Sequence, residues 1–205
     1  IDSVIRVLGP RRVELAPYDQ AGFDAIVAWS TGDRLGAYEA ARRAARLAPS
    51  GMAAAQVGKE ALALGRPREA ARVFAALDAR SVELRNAVFY WIDHADALHA
   101  SGNHEAEQRL VALADSAGFG GTPWYWRLRM RAGIARRDAR VRRELLDSLD
   151  GGWGRLSRSL QAGMALQELT EEALAHGDTT VAAVLARRAT QWYAALPDSV
   201  LAQPR

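Results

Sequence analysis

The chain has 205 residues, of which 49% are hydrophobic and 25% charged, enough apolar material to bury a core and too much for a disordered polypeptide. Cysteine is absent, which excludes disulfide staples, thiolate metal ligands and cysteine nucleophiles and leaves the choice between cytoplasm and periplasm open. The formal charge is only +3, and the basic pI near 9.7 comes from arginine, Lys59 being the sole lysine; this bias reads as a GC-rich genome before it reads as a ligand preference.

No apolar run approaches the ~18 to 20 residues that cross a bilayer. The longest, "AVFYWI" (87–92), is far shorter, so no membrane insertion of this segment is expected. The chain starts at Ile1 with no signal-peptide pattern, which suggests a module cut from a longer protein, with any anchor elsewhere. A cytoplasmic setting is favoured, a periplasmic one following only if such an anchor exists.

Taken in order, residues 1–17 ("IDSVIRVLGPRRVELAP") are interrupted by Pro10 and Pro17. They read as a linker or cap containing short extended pieces. From Tyr18 to Leu196 nearly every segment has the periodicity of an amphipathic helix, and no stretch alternates long enough to be a strand. The fold expected is all-α, with a helical domain over 18–197 and a tail over 198–205.

Glycines punctuate the helices. "STGD" (30–33), "LGRP" (64–67), "ASGN" (100–103) and "AHGD" (175–178) each place a glycine where a helix C-terminus needs one. Gly32 to Gly65 is 33 residues, Gly65 to Gly102 is 37, and Gly102 to Gly177 is 75, about two further units. The chain is therefore an array of about five helical hairpins.

Offsets recur within the units. Gly32 is followed by Ala37, Ala44 and Pro49, Gly65 by Ala70 and Phe74, and Gly177 by Ala182 and Ala189. Upstream helices carry Ala25 and Ala28, Gly58 and Ala61, Ala95 and Leu98, and Thr170 and Ala173 at matching places. Small residues let paired helices approach closely while larger ones fill the gaps between hairpins. In "GRPREAARVFAALDA" (65–79), Gly65 turns the chain, Pro67 opens the second helix, Ala70 packs on its partner and Phe74 reaches the next layer.

This pattern resembles the tetratricopeptide repeat, with units near 18–50, 51–83 and 163–197 fitting best. The unit near 84–117 has a shorter turn, and that near 122–150 has no clear turn glycine. The resemblance implies an α-solenoid, a right-handed superhelix of antiparallel hairpins, whose first helices line a surface for a protein or peptide. A narrower likeness, in "GDRLGAYEAARRAARLAP" (32–49) and "YWIDHADALHASGNHEAEQRLVALA" (90–114), is to the repeat regions beside kinase-type or winged-helix domains of bacterial signalling proteins. It implies an interaction or sensor module.

Catalytic and cofactor signatures do not survive inspection. His94, His99 and His104 are spaced by five residues, which turns successive side chains about 140° apart on a helix, so this segment alone does not make a metal site. "GFGGT" (118–122) follows no strand and lacks a lysine, so it is not a phosphate loop; Thr122–Pro123 reads as a helix start. "DGGWG" (150–154) is another break, and Glu171 with Glu172 reads as a solvated face. The expectation is a protein that is not an enzyme and takes no cofactor and no metal.

Residues 122–150 hold eight arginines against four acids. Arg129, Arg136, Arg140 and Arg143 would form one stripe on a continuous helix, with Trp126 beside it, and could grip an acidic peptide or phosphates. The plainer alternative is a solvated face with pairs such as Arg140–Glu144. Trp29, Trp91, Trp124, Trp153 and Trp192 read as structural. The function expected is thus a non-catalytic protein- or peptide-binding scaffold with an acidic partner; the alternative is nucleic acid or a phosphate ligand at 127–143. A carboxylate clamp of the chaperone type could draw only on Lys59, Asn86 and Asn103. An uncapped end offers a third possibility, homo-oligomerisation.

Overall fold

The computed structural model describes residues 1–150 and 160–196, and among these every regular element is helical, with no strand. The chain forms two compact units, Ile1–Asn103 and His104–Arg205. Among the described residues no helix is long and apolar enough to cross a membrane.

In the first unit, α1 (Asp2–Leu8) runs into a 3₁₀ segment (Gly9–Glu14), followed by α2 (Pro17–Thr31), α3 (Arg34–Leu47), α4 (Gly51–Ala63), α5 (Pro67–Ala75), the single turn α6 (Val82–Arg85) and α7 (Val88–Ala100). The N-terminal segment is helical, not extended as the prolines suggested. Pro10 sits at the start of the 3₁₀ turn and Pro17 at the first position of α2, where a missing N–H costs nothing. Arg12 then ties the segment down. Its guanidinium makes two bonds to Asp24 of α2, at 2.6 and 2.7 Å, and Arg43 of α3 reaches the same carboxylate at 2.6 Å. Arg12 above all, with Arg43, holds the Asp24 carboxyl below its ordinary range.

The second unit contains α8 (His104–Ala114), a wide turn over Asp115–Phe119, α9 (Pro123–Ala135), α10 (Ala139–Asp150), α11 (Leu160–Ala175) and α12 (Thr179–Ala194). Thr122 caps α9, its hydroxyl accepting from the Tyr125 N–H, with proline at the first helical position. Part of the "DGGWG" break, including Trp153, lies outside the described residues.

Among the described residues one turn geometry is used five times. After α2, α4, α7, α9 and α11, a residue with positive φ donates to the carbonyl three back and its successor to the carbonyl five back, as in Gly32→Trp29 (3.2 Å) and Asp33→Ala28 (2.8 Å). Both bonds satisfy carbonyls that a helix end leaves orphaned. Gly65, Gly102 and Gly177 hold the position with φ of 71°, 76° and 76°. After α9 the residue is Arg137, at φ 56°, and the bonds are Arg137→Ile134 and Asp138→Gly133, both 2.9 Å. Residues 122–150 are therefore two helices joined by a left-handed arginine.

Within each unit, helices pack on their neighbours in the chain: α2 on α3, α3 on α4, α4 on α5 and α5 on α7; then α8 on α9, α9 on α10 and on α11, and α11 on α12. Ala37, Ala70 and Ala95 are fully buried at these crossings, and Leu98, Ala182 and Ala189 are buried too, while Ala44 is half-buried and Pro49 exposed. Gly58 shows why a small residue is needed. A Cβ there would lie 2.8 Å from the ring of Phe74, which is itself completely buried and meets Tyr90 edge-on and His94 face-on across α7. The second unit closes on Met130, Leu145, Leu166, Leu169 and Leu185, with Trp126, Trp192 and Tyr193 packed against them.

Candidate functional site in the first unit

Polar side chains converge from α2, α4 and α7 in the first unit. Gln56, Lys59 and Glu60 lie three and four residues apart on α4, so they share one side of that helix; Asp93 and Asp96 do so on α7. Trp29 comes from the last turn of α2.

Glu60 anchors the cluster. It is only 2% exposed, which would be costly for a carboxylate without donors, but both oxygens have one: Trp29 Nε1 donates to Oε2 at 3.1 Å and Gln56 Nε2 to Oε1 at 2.6 Å. Lys59 Nζ stands 5.1 Å from the centre of the Trp29 ring, within cation–π range. Trp29, expected to be structural, is instead a partly exposed wall of this cluster, 37% accessible.

Asp93 is the unsatisfied member. Its Oδ2 is buried and has no hydrogen-bond partner among the described residues. Burial pushes its carboxyl up to about 6, with Asp96 and Glu60 adding to the rise and Lys59 opposing it. A carboxyl so placed exchanges its proton near neutrality and gains from any incoming donor.

An apolar cavity of about 550 Å³ adjoins the cluster. Its walls include Leu8 and Leu15 from the N-terminal segment, Phe23 and Ile26 from α2, and Met52 and Gln56 from α4. Gln56 belongs to both features, lining the cavity and donating to Glu60.

His94, one residue from Asp93, faces the other way. It is 7% exposed against Phe74 and Tyr90, with Nδ1 unpartnered among the described residues, and burial lowers it to about 4. It serves as a neutral core ring.

The arginine segment is organised differently from a stripe. The turn at Arg137 puts Arg129 on α9 and Arg140 and Arg143 on α10, with Arg136 at the α9 C-cap. Arg129 makes a two-pronged bond to Glu144 at 2.5 and 2.6 Å, so Glu144 does not serve Arg140 as the plainer sequence reading supposed. Arg136 donates to Gln108, whereas the Arg140 and Arg143 side chains are exposed. Trp126 is half-buried against the core.

Two arginines of the segment are spent inside. Arg131, 5% exposed, donates Nε and Nη2 to the fully buried Glu107 at 3.0 and 2.7 Å and Nη1 to Glu168 at 3.0 Å. Arg127 takes the other oxygen of Glu168. This ladder joins α8, α9 and α11. Pairing satisfies each buried charge, as burial demands.

No protein-family model and no curated protein matches this chain.

Proposed function

We propose that the protein is a non-catalytic scaffold of tetratricopeptide-repeat type, the interaction or sensor module of a larger signalling protein, and that its first unit holds a peptide segment against α2, α4 and α7. The observation that carries this reading is that Gln56 both lines an apolar cavity and donates to Glu60, in a carboxylate cluster whose Asp93 has a buried, unpartnered oxygen. A cavity of this size takes one or two apolar side chains, and the carboxylates attract a cation beside them.

The segment is therefore basic where it meets Asp93, not acidic as the arginine content suggested. Arg127, Arg129 and Arg131 are already engaged by Glu168, Glu144 and Glu107, which also takes cations away from the nucleic-acid alternative.

The test is an array of short peptides that pair lysine or arginine with leucine or phenylalanine, probed with the purified chain and followed by calorimetry of the best binders. Binding to basic-apolar peptides that weakens at least tenfold in Trp29→Ala and Asp93→Asn supports the reading. Retention of acidic peptides, or equal binding by both variants, overturns it.

A further inference from the structure

The turn after α9 breaks the rule that the other four obey. Where Gly32, Gly65, Gly102 and Gly177 adopt positive φ without a side chain in the way, Arg137 does so at φ 56° with a long cationic one. A left-handed backbone disfavours any residue with a Cβ, and arginine has none of the local hydrogen-bonding compensation of asparagine or aspartate. Glycine would serve the turn better, so the side chain is what distinguishes this position.

That side chain borders a cavity of about 350 Å³ between the α9–α10 and α11–α12 turns. Arg142 and His176 stand on the same wall, and Ile134 and Val181 supply its apolar part. Arg137 Nη2 donates to the His176 carbonyl at 3.2 Å, which settles one of five guanidinium N–H groups and ties the fork to another lining residue.

Two acids, Asp138 and Asp178, also line the cavity, and both are committed to the fold. Asp138 Oδ1 accepts from the N–H groups of Arg140 and Val141, at 2.9 and 3.2 Å. Asp178 Oδ1 accepts from Val181 N–H at 3.1 Å, while Oδ2 lies 3.3 Å from Arg142 Nη1. His176 in turn has Nε2 2.8 Å from Glu172 Oε1. The acids act as caps of α10 and α12 and Asp178 also holds Nη1 of Arg142, so a guest meets the fork of Arg137, with one N–H engaged, and the remaining donors of Arg142.

We propose that this cavity is a binding site for a small molecule bearing an oxyanion, a phosphate or a carboxylate, held by Arg137 and Arg142. Planar forks match both groups with paired N–H donors. The volume is at the lower end of small-molecule sites and exceeds what a bare inorganic ion fills, so the oxyanion is one end of a larger guest. This site belongs to the second unit and does not depend on the peptide surface of the first.

The test is thermal unfolding of the full chain titrated with sodium phosphate, with sodium acetate, and with sodium chloride at matched ionic strength, repeated with glycerol 3-phosphate as an organic phosphate. Arg137→Gly is the informative variant because the two roles of the residue predict opposite signs for it. Relief of the left-handed backbone raises the melting temperature without ligand, whereas loss of the fork abolishes the ligand-dependent rise. Arg142→Gln weakens the response at least tenfold, and Arg46→Gln, an exposed change on α3, leaves it intact.

A saturable rise with phosphate or acetate that vanishes in Arg137→Gly supports the site, and tighter binding of glycerol 3-phosphate than of phosphate identifies the organic source. An equal rise with chloride, or an undiminished rise in Arg137→Gly, overturns it.

Discussion

Asp93→Asn tests the peptide surface and the electrostatics together. The Asp93 carboxyl sits at about 6 in the folded protein against an ordinary value of 3.8, so between these pH values the folded chain holds a proton that the unfolded chain has released. Stability from this group is therefore greatest below 3.8 and falls as pH rises through 6. A gap of about two units corresponds to a ceiling of about 3 kcal/mol. The side chain is only partly buried, and solvent screening reduces that to about 1–2 kcal/mol.

Asparagine keeps the shape and removes the charge. At pH 8 the opening free energy of α7, read by hydrogen–deuterium exchange of its peptides, should rise by about 1–2 kcal/mol in Asp93→Asn. At pH 4, where the wild-type carboxyl is already protonated, the two proteins should match. Equal shifts at both pH values, or a loss at pH 8, would refute the assignment of Asp93 as a strained carboxylate. A partly buried residue that weakens the fold is the kind a binding site retains at the expense of stability.

His94 makes the complementary case. Its folded value of about 4 lies below the ordinary 6.5, so its contribution is present above 6.5 and lost as pH falls toward 4. Between about 4 and 6 its slope opposes that of Asp93, leaving the wild type nearly flat; in His94→Phe, α7 stability should fall with rising pH over this range, and in Asp93→Asn it should rise, both by the same exchange measurement. Gly58→Ala places a methyl 2.8 Å from the Phe74 ring and should cost about 1–3 kcal/mol in urea unfolding. Ala70→Trp and Ala182→Trp, at positions 0% and 2% exposed, should lower the melting temperature by many degrees, whereas Arg140→Glu should leave it nearly unchanged.

What could be read from the sequence was what repeats locally. An all-α chain followed from periodicity, because each helix carries its own apolar stripe, and four of the five turns followed from glycine, because positive φ selects it. The fifth was hidden by Arg137. A signal was nonetheless present one residue later: Asp138 follows Arg137 as Asp33 follows Gly32 and Asp178 follows Gly177, and all three cap the next helix. The N-terminal segment was misread because proline argues against helix interiors, and here both prolines stand at helix starts.

The polar clusters were beyond a linear reading for a different reason. Trp29, Glu60 and Asp93 are separated by 31 and 33 residues, and nothing in their local context marks them as neighbours. The arginine stripe failed because charge spacing along one helix says nothing of acids on another. Glu107, Glu144 and Glu168 claim Arg131, Arg129 and Arg127 across helix contacts that only packing creates.

The Glu107–Arg131 pair separates stability from specificity in the second unit. Both side chains are nearly inaccessible, 0% and 5% exposed, so each was stripped of water on folding at a cost that their mutual attraction only roughly offsets. Truncating one partner leaves a buried charge behind. Glu107→Leu should therefore destabilise the second unit by about 3–5 kcal/mol, somewhat less if Glu168 moves to hold Arg131 alone, and Arg131→Met should do the same, somewhat less if His104, 3.5 Å from Glu107 Oε2, holds that carboxylate. The double variant replaces both charges with apolar groups of similar length and should recover most of that loss, giving a large favourable coupling in a double-mutant cycle read by urea unfolding. Additive losses would mean that the ladder contributes through packing of its stems and not through its charges. Recovery would mean that the cost of each single variant lies in the charge it leaves buried, and that the pair as a whole adds little net stability.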